Sequence, residues 1–270
     1  MNNLTQRIIT GAIGASLVFG AIVYGEFTFL LLVLFICIMS LIEFFQLCKG
    51  DGIRPQIAFG IIISIVVFLP PVLNSGFNIT IDLIKLLLIL PFFVFIRELH
   101  TESEKPFTNI SYTLLPIFYI ILPLFLFYLM AFSHSSGYNY QNILGFFLLL
   151  WSSDTGAYFA GKYLGKHKLF ERISPNKTWE GFFGGIVLAV IVAIILSQYF
   201  TTYSMMQWII ISLIIVVTGT LGDLVESMFK RSLQVKDSGT ILPGHGGFLD
   251  RFDGLFISVP FVFFYLEMFA

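Results

Sequence analysis

Nine stretches of this chain stay apolar over close to twenty residues each, at about 8–24, 27–47, 56–73, 80–96, 110–132, 142–161, 181–200, 207–229 and 254–269. A helix needs about 20 such residues to cross the hydrocarbon of a bilayer. The runs are too long for barrel strands and lack their alternation between lipid-facing and lumen-facing side chains. Hydrophobic side chains make up 57% of the chain and charged ones 11%, against about 25% charged in a soluble protein. A soluble fold of this size has no way to hide that much apolar surface. The same arithmetic excludes disorder, and a net charge of −1 excludes a bulk attraction to nucleic acid. The expected fold is all-α, a polytopic membrane bundle of about nine transmembrane helices. The run after Arg7 is read as an uncleaved helix, because no small-residue cleavage site stands out and a second span follows at once.

The basic residues orient the bundle. Lys and Arg concentrate in cytoplasmic loops. Nine spans with the N-terminus inside place Arg7, Lys49, Arg54, Arg97, Lys105, Lys162, Lys166, Lys168, Arg172, Lys177, Lys230, Arg231, Lys236 and Arg251 on the cytoplasmic side. Only Lys85 falls near the other face, and the opposite connections at 133–141 and 201–207 carry no Lys or Arg. The expected placement is a multi-pass protein of the cytoplasmic (inner) membrane, with its C-terminus outside and its chemistry facing the cytoplasm.

Residues 1–150 are almost bare of polar chemistry and read as scaffold and lipid access, whereas residues 151–270 bring polar side chains into the spans and read as the catalytic region. Glu43 is read as a structural partner near the cytoplasmic interface. Cys37 and Cys48 are read as small apolar residues, since they form neither a disulfide framework nor a CxxC motif. Pro91, Pro116, Pro123 and Pro260 are read as kinks that a bundle tolerates.

The end of the eighth span carries the first chemical signal. Asp223, then Glu226 and Ser227, then Lys230 and Arg231 fall at helical spacing on one face. Ionisable side chains within a span cost about 2.5–3.5 kcal/mol on insertion scales and face the bundle interior or water. Interhelical ion pairing or snorkelling would also explain such a stripe. The loop that follows adds Lys236 and Asp237, a turn with Gly244, His245, Gly246 and Gly247, and then Asp250, Arg251 and Asp253. Glycines leave backbone amides open to a phosphate. Asp250 and Asp253 stand at i, i+3 at the start of the last span. Carboxylates suit Mg²⁺, which is held by one or two of them plus substrate phosphates, and cations balance the remaining phosphate charge.

The residues 227–231, Lys236 with Asp237, and 243–253 resemble the signature of the phosphatidate cytidylyltransferases, the CDP-diacylglycerol synthases. The segments 154–159 and 174–181 resemble the same family, so that the likeness covers roughly 151–253. The resemblance implies a membrane enzyme of phospholipid biosynthesis. It implies that phosphatidate and CTP give CDP-diacylglycerol and pyrophosphate, with Mg²⁺ and room for a second cation. By that carry-over Asp223 and Asp250 are metal ligands with Asp253 as helper, and Ser227, Lys230, Arg231 and Lys236 meet phosphates. His245 is read either as a general acid for the departing pyrophosphate or as a donor shaping the glycine turn. Asp237 either orients Lys236 or stands behind the metal ligands. Arg251 is either a substrate clamp or the partner of Asp250. Gly244, Gly246 and Gly247 form the substrate-binding turn. A CTP-dependent lipid kinase and a cytidylyltransferase for another lipid phosphate are the neighbouring readings. Transport of a phosphorylated solute is disfavoured, because no internal repeat is present and the charges cluster at one face. The oligomeric state is left open, a homodimer among the options.

One motif is a decoy. The run from Gly156 to Lys162 spells G-x-x-x-x-G-K, but Tyr163 follows where a P-loop needs Ser or Thr, and an apolar helix stands where it needs a strand. Gly156, Ala160 and Gly161 are read as small residues for close helix packing. Asp154 is read as packing glue or as part of the nucleotide pocket. Among the basic residues of the following loop, Lys177 is the expected substrate contact. Lys162, Lys166, Lys168 and Arg172 are read as topology anchors or headgroup contacts.

Overall fold

A computed structural model of the chain describes residues 3–49, 53–135, 137–235, 238–239 and 246–270, with backbone alone at 3–10 and at 84. Ten α-helices are formed among the described residues: α1 (Asn3–Tyr24), α2 (Glu26–Cys48), α3 (Ile57–Phe77), α4 (Leu90–Leu99), α5 (Pro106–Pro116), α6 (Leu122–Met130), α7 (Tyr140–Leu164), α8 (Trp179–Tyr199), α9 (Met205–Ser232) and α10 (Leu249–Phe269). The sheet among the described residues is one antiparallel hairpin between α7 and α8, β1 (Lys168–Phe170) with β2 (Ser174–Thr178), in which Lys168 faces Thr178. The fold is all-α, and the chain is a multi-pass membrane protein.

Among the described residues seven helical stretches are long and apolar enough to cross a membrane unaided: α2, α3, the continuous Pro106–Met130 stretch, α7, α8, α9 and α10. α1 adds a shorter apolar helix over Gly11–Tyr24. Pro116 and Pro123 do not break the Pro106–Met130 stretch. A π turn over Ile117–Ile121 links α5 to α6, giving carbonyls that lose a donor to proline an alternative ladder.

The span expected at 80–96 is not a single helix. It divides into a 3₁₀ turn over Ile84–Leu88 and the ten residues of α4. Pro91 lies in the first turn of α4, where its missing N–H costs nothing, but it cannot extend the ladder of the preceding turn. At 1.5 Å per residue α4 rises about 15 Å, half the hydrocarbon thickness. The segment still returns to the end from which α3 set out. Gln56, the N-cap of α3, donates its Nε2 to Val94 O at 3.0 Å and to Glu98 Oε2 at 2.9 Å. Asn109 at the start of α5 donates to Glu98 Oε1 at 2.8 Å. Thr113 Oγ1 accepts from the Gln56 backbone N–H at 2.9 Å. The start of α3, the end of α4 and the start of α5 are thereby tied at one level, and Gln56, Glu98, Asn109 and Thr113 are all buried.

By packing the chain forms two compact units, one of Met1–Tyr128 with Leu233–Arg251, the other of Leu129–Ser232 with Phe252–Ala270. In the first, α2 packs on α1 and α3 around Phe29, Phe44, Phe45 and Phe68, all fully buried. In the second, α7 and α8 approach so closely that a Cβ at Gly156 would stand 2.5 Å from the Gly184 carbonyl oxygen, and one at Gly181 2.9 Å from that of Ala157. Small residues at the contact allow backbone-to-backbone packing where lipid offers no hydrophobic drive. The G-x-x-x-x-G-K run lies wholly inside α7, and its glycines serve this contact.

Candidate functional site

In the second unit the hairpin delivers a lysine to a group of carboxylates. Lys177 on β2 places Nζ 2.6 Å from Asp223 Oδ2 on α9. Asp253 on α10 lies in the electrostatic field of Asp223, of Asp154 on α7 and of Lys177. Ser227, one turn beyond Asp223, donates its hydroxyl to Asp223 Oδ1 at 3.3 Å. Asp253 Oδ1 accepts from the Gly254 N–H at 2.7 Å. α9 and α10 meet here through glycine: a Cβ at Gly222 would come within 2.5 Å of the Asp253 carbonyl oxygen. Lys177 thus pairs with Asp223 directly, while Asp253 feels the charge of Asp223, Asp154 and Lys177 together.

The base of the hairpin is pinned. Thr178, the N-cap of α8, accepts from the Gly181 N–H at 3.1 Å. The Trp179 N–H donates to His167 O at 2.9 Å. Glu180 accepts from the Lys166 and His167 backbone N–H groups and meets His167 Nδ1 at 2.6 Å. Lys177 therefore stands on a strand anchored at the base of the hairpin, one residue ahead of the N-cap of a helix whose N-terminus favours anions.

Lys230 and Arg231 part company. Lys230 Nζ pairs with Glu226 Oε2 at 2.6 Å, and both side chains are largely buried. Arg231 is exposed near the end of α9.

In the first unit Asp250 is held by a turn. Its Oδ2 accepts from the Gly247 N–H at 3.0 Å, from the Ser238 N–H at 3.2 Å and from the Ser238 hydroxyl at 2.9 Å. Gly246 has φ +79°, the left-handed region that favours glycine, and a Cβ there would also stand 2.8 Å from Asp250 Oδ2. Glu43 on α2 is fully buried, and its Oε2 accepts from the Leu249 N–H at 2.7 Å. The structural role expected for Glu43 is thereby given a partner. Ser238 was no part of the sequence-derived site; a lone serine in a polar loop carries no signal that its hydroxyl meets a carboxylate twelve residues on. Arg251 is exposed beside Asp250. Lys236, Asp237, Gly244 and His245 lie outside the described residues.

The donor chemistry fits Mg²⁺. Asp154, Asp223 and Asp253 offer oxygen alone, the preference of a hard cation. Among the described residues no three His, Cys, Asp or Glu side chains are spaced to hold a metal ion by themselves.

Carboxylates, a tethered lysine and an acidic glycine turn, carried on a multi-pass helical fold, define a membrane-embedded enzyme that handles phosphates. Residues 5–269 match the cytidylyltransferase family, and the chain belongs to it. It is 36% identical to the phosphatidate cytidylyltransferase of Bacillus subtilis (strain 168) over 279 residues, covering 100% of both chains. It is 39% identical over 236 residues to the phosphatidate cytidylyltransferases of Staphylococcus aureus (strain COL) and Staphylococcus epidermidis (strain ATCC 12228 / FDA PCI 1200), covering 86% of this chain and 88% of each relative.

Proposed function

We propose that the chain transfers the cytidylyl group of CTP to phosphatidate at the cytoplasmic face of the cell membrane, giving CDP-diacylglycerol and pyrophosphate. The observation that carries the reading is the carboxylate group of Asp154, Asp223 and Asp253 around Lys177, in a chain that matches the cytidylyltransferase family over nearly its whole length. A phosphate oxygen of phosphatidate attacks the α-phosphorus of CTP. The new P–O bond joins the two phosphates, the α–β bridge breaks, and pyrophosphate leaves with the displaced electron pair. The nucleophile is already ionised at neutral pH, so no protein base is needed. The task left to the protein is positioning and charge neutralisation.

Asp223 and Asp253 would hold Mg²⁺, which when bound supplies charge neutralisation at phosphate oxygens; Asp250 is carried over as a ligand from the family resemblance. Lys177 and Arg231 bring cations to the nucleotide and lipid phosphates, and Ser227 orients Asp223 through its hydroxyl. The pairing of Lys230 with Glu226 supports a role in holding α9 rather than a direct phosphate contact. The placement of the basic residues supports nine crossings, with the N-terminus in the cytoplasm and the C-terminus outside. The 79–99 segment makes the fourth crossing as a broken one.

The test is a pair of incubations of purified protein in detergent with phosphatidate and Mg²⁺, one with α-labelled and one with γ-labelled CTP. The expected result is lipid-extractable label from the α position alone, with the γ label in pyrophosphate. Label entering lipid from the γ position would make the protein a kinase and overturn the reading.

A further inference from the structure

Glu43 is an expensive residue to keep. It is fully buried in α2, a helix long and apolar enough to cross a membrane, where an ionisable side chain costs about 2.5–3.5 kcal/mol on insertion scales. Its surroundings show what it holds. Glu43 Oε2 accepts from the N–H of Leu249 at 2.7 Å, the first residue of α10. The first amides of a helix have no partner within it, and a carboxylate there satisfies one of them and matches the helix dipole. The backbone of the turn closes directly on the same carboxylate. A Cβ added at Gly239 or at Gly247 would collide with Glu43 Oε1, so both positions admit only a residue without a side chain. A second contact from α2 braces the turn, since Phe35 packs edge-on against Phe248 with ring centroids 5.6 Å apart.

The residues gripped in this way are the ones that set Asp250. Ser238 precedes Gly239, and Gly247 stands two residues before Leu249. Ser238 and Gly247 supply all three of the hydrogen bonds described at Asp250 Oδ2. We infer that Glu43 is a positioning residue for the proposed reaction: it fixes the 238–239 and 246–249 backbone, and through it the direction in which the Asp250 carboxylate points. The inference rests on the assignment of Asp250 to the reactive site. Partners standing one step behind a functional carboxylate or metal ligand typically cost 10–100-fold in activity or metal affinity when removed.

The experiment compares Glu43→Ala, Glu43→Gln and Glu98→Gln in the full chain, purified in detergent. Glu98 is the control, a buried carboxylate of the same unit whose hydrogen bonds go to Gln56 and Asn109. Three quantities are read: kcat, KM for CTP, and hydrogen exchange of the peptide covering 246–250. Glu43→Ala should lower kcat about 10–100-fold with KM for CTP within about threefold, and should speed exchange in that peptide about tenfold or more, as expected once the acceptor is lost. Glu43→Gln keeps an oxygen that can accept from Leu249, so it should recover protection and kcat together. Glu98→Gln should change neither per folded molecule. If Glu43→Ala does not accumulate folded, Glu43→Gln set against wild type and Glu98→Gln carries the same comparison. The inference is overturned if kcat falls with no change in exchange at 246–250, if Glu43→Ala keeps wild-type kcat, or if Glu98→Gln lowers kcat equally. A wild-type protein that fails to convert phosphatidate and CTP would instead refute the proposed reaction, while the exchange measurement would still decide whether Glu43 holds the turn.

Discussion

Two polar clusters in this membrane protein are built on opposite plans. In the N-terminal unit Glu98 receives an amide donor on each carboxylate oxygen, from Gln56 and from Asn109, and it meets no cation among the described residues. In the other unit Asp253 lies in the field of Asp223 and Asp154, and the ammonium of Lys177 meets Asp223. The first plan is closed. Every proton it needs comes from neutral groups already fixed by α3 and α5, so its work is to set the level at which helix ends meet. The second plan is open in another sense: it is built from charges, and carboxylates gathered at low dielectric repel one another and attract cations. A buried carboxylate alone therefore does not mark a reactive site in such a fold; the balance between acceptors and the donors or cations that meet them does. Glu226 with Lys230 is an intermediate case, a buried carboxylate that meets an ammonium directly.

The sharpest way to break this comparison is at the intermediate case. Lys230→Ala removes the ammonium from the buried Glu226 and should destabilise the protein by about 3–5 kcal/mol, read as a large fall in the thermal midpoint in detergent. If Lys230→Ala is instead stable and inactive, the lysine belongs with the open cluster and touches phosphate. Next in size are Asp223→Asn and Asp253→Asn. Each should cut turnover by about two orders of magnitude or more while the protein stays folded, because each removes charge from a cluster whose task is charge. Near-normal Mg²⁺-dependent turnover in either would place that residue outside the reactive group. The smallest effect is expected at the closed cluster. Glu98→Gln exchanges an acceptor for a donor facing Asn109 or Gln56 and should cost about 1–3 kcal/mol of stability, with turnover per folded molecule within about twofold of wild type. A hundredfold loss of turnover there would erase the distinction between the two plans.

How much of this was legible in the sequence depended on the range of the interaction. Eight of the nine apolar runs coincide with helices, because burial in lipid is written locally in run length and composition. The ninth, 80–96, has the right length but carries Pro91, and whether a proline bends a helix or restarts one depends on the turn before it. In the same way the stripe from Asp223 to Arg231 was visible as one helix face. The turn of Lys230 back to Glu226 was not, since an i+4 carboxylate and a distant phosphate attract an ammonium alike. Lys177 and Asp223 are 46 positions apart, and Glu43 and Leu249 are 206 apart. Each member could be picked out as a polar residue in the wrong place for lipid, but nothing in the spacing names its partner.

The pinned hairpin has a kinetic and entropic consequence. With the base of the hairpin fastened at Thr178, Trp179 and Glu180, the strand holding Lys177 has few conformations to lose, and its ammonium sits beside Asp223 at an effective concentration far above that of any free ion of similar charge. Asp223 thereby carries its own counter-ion. A cation or phosphate arriving from solution meets a tethered competitor rather than bare charge, so binding at the cluster is a matter of exchange, and the ammonium softens the repulsion between the carboxylates of α9 and α10.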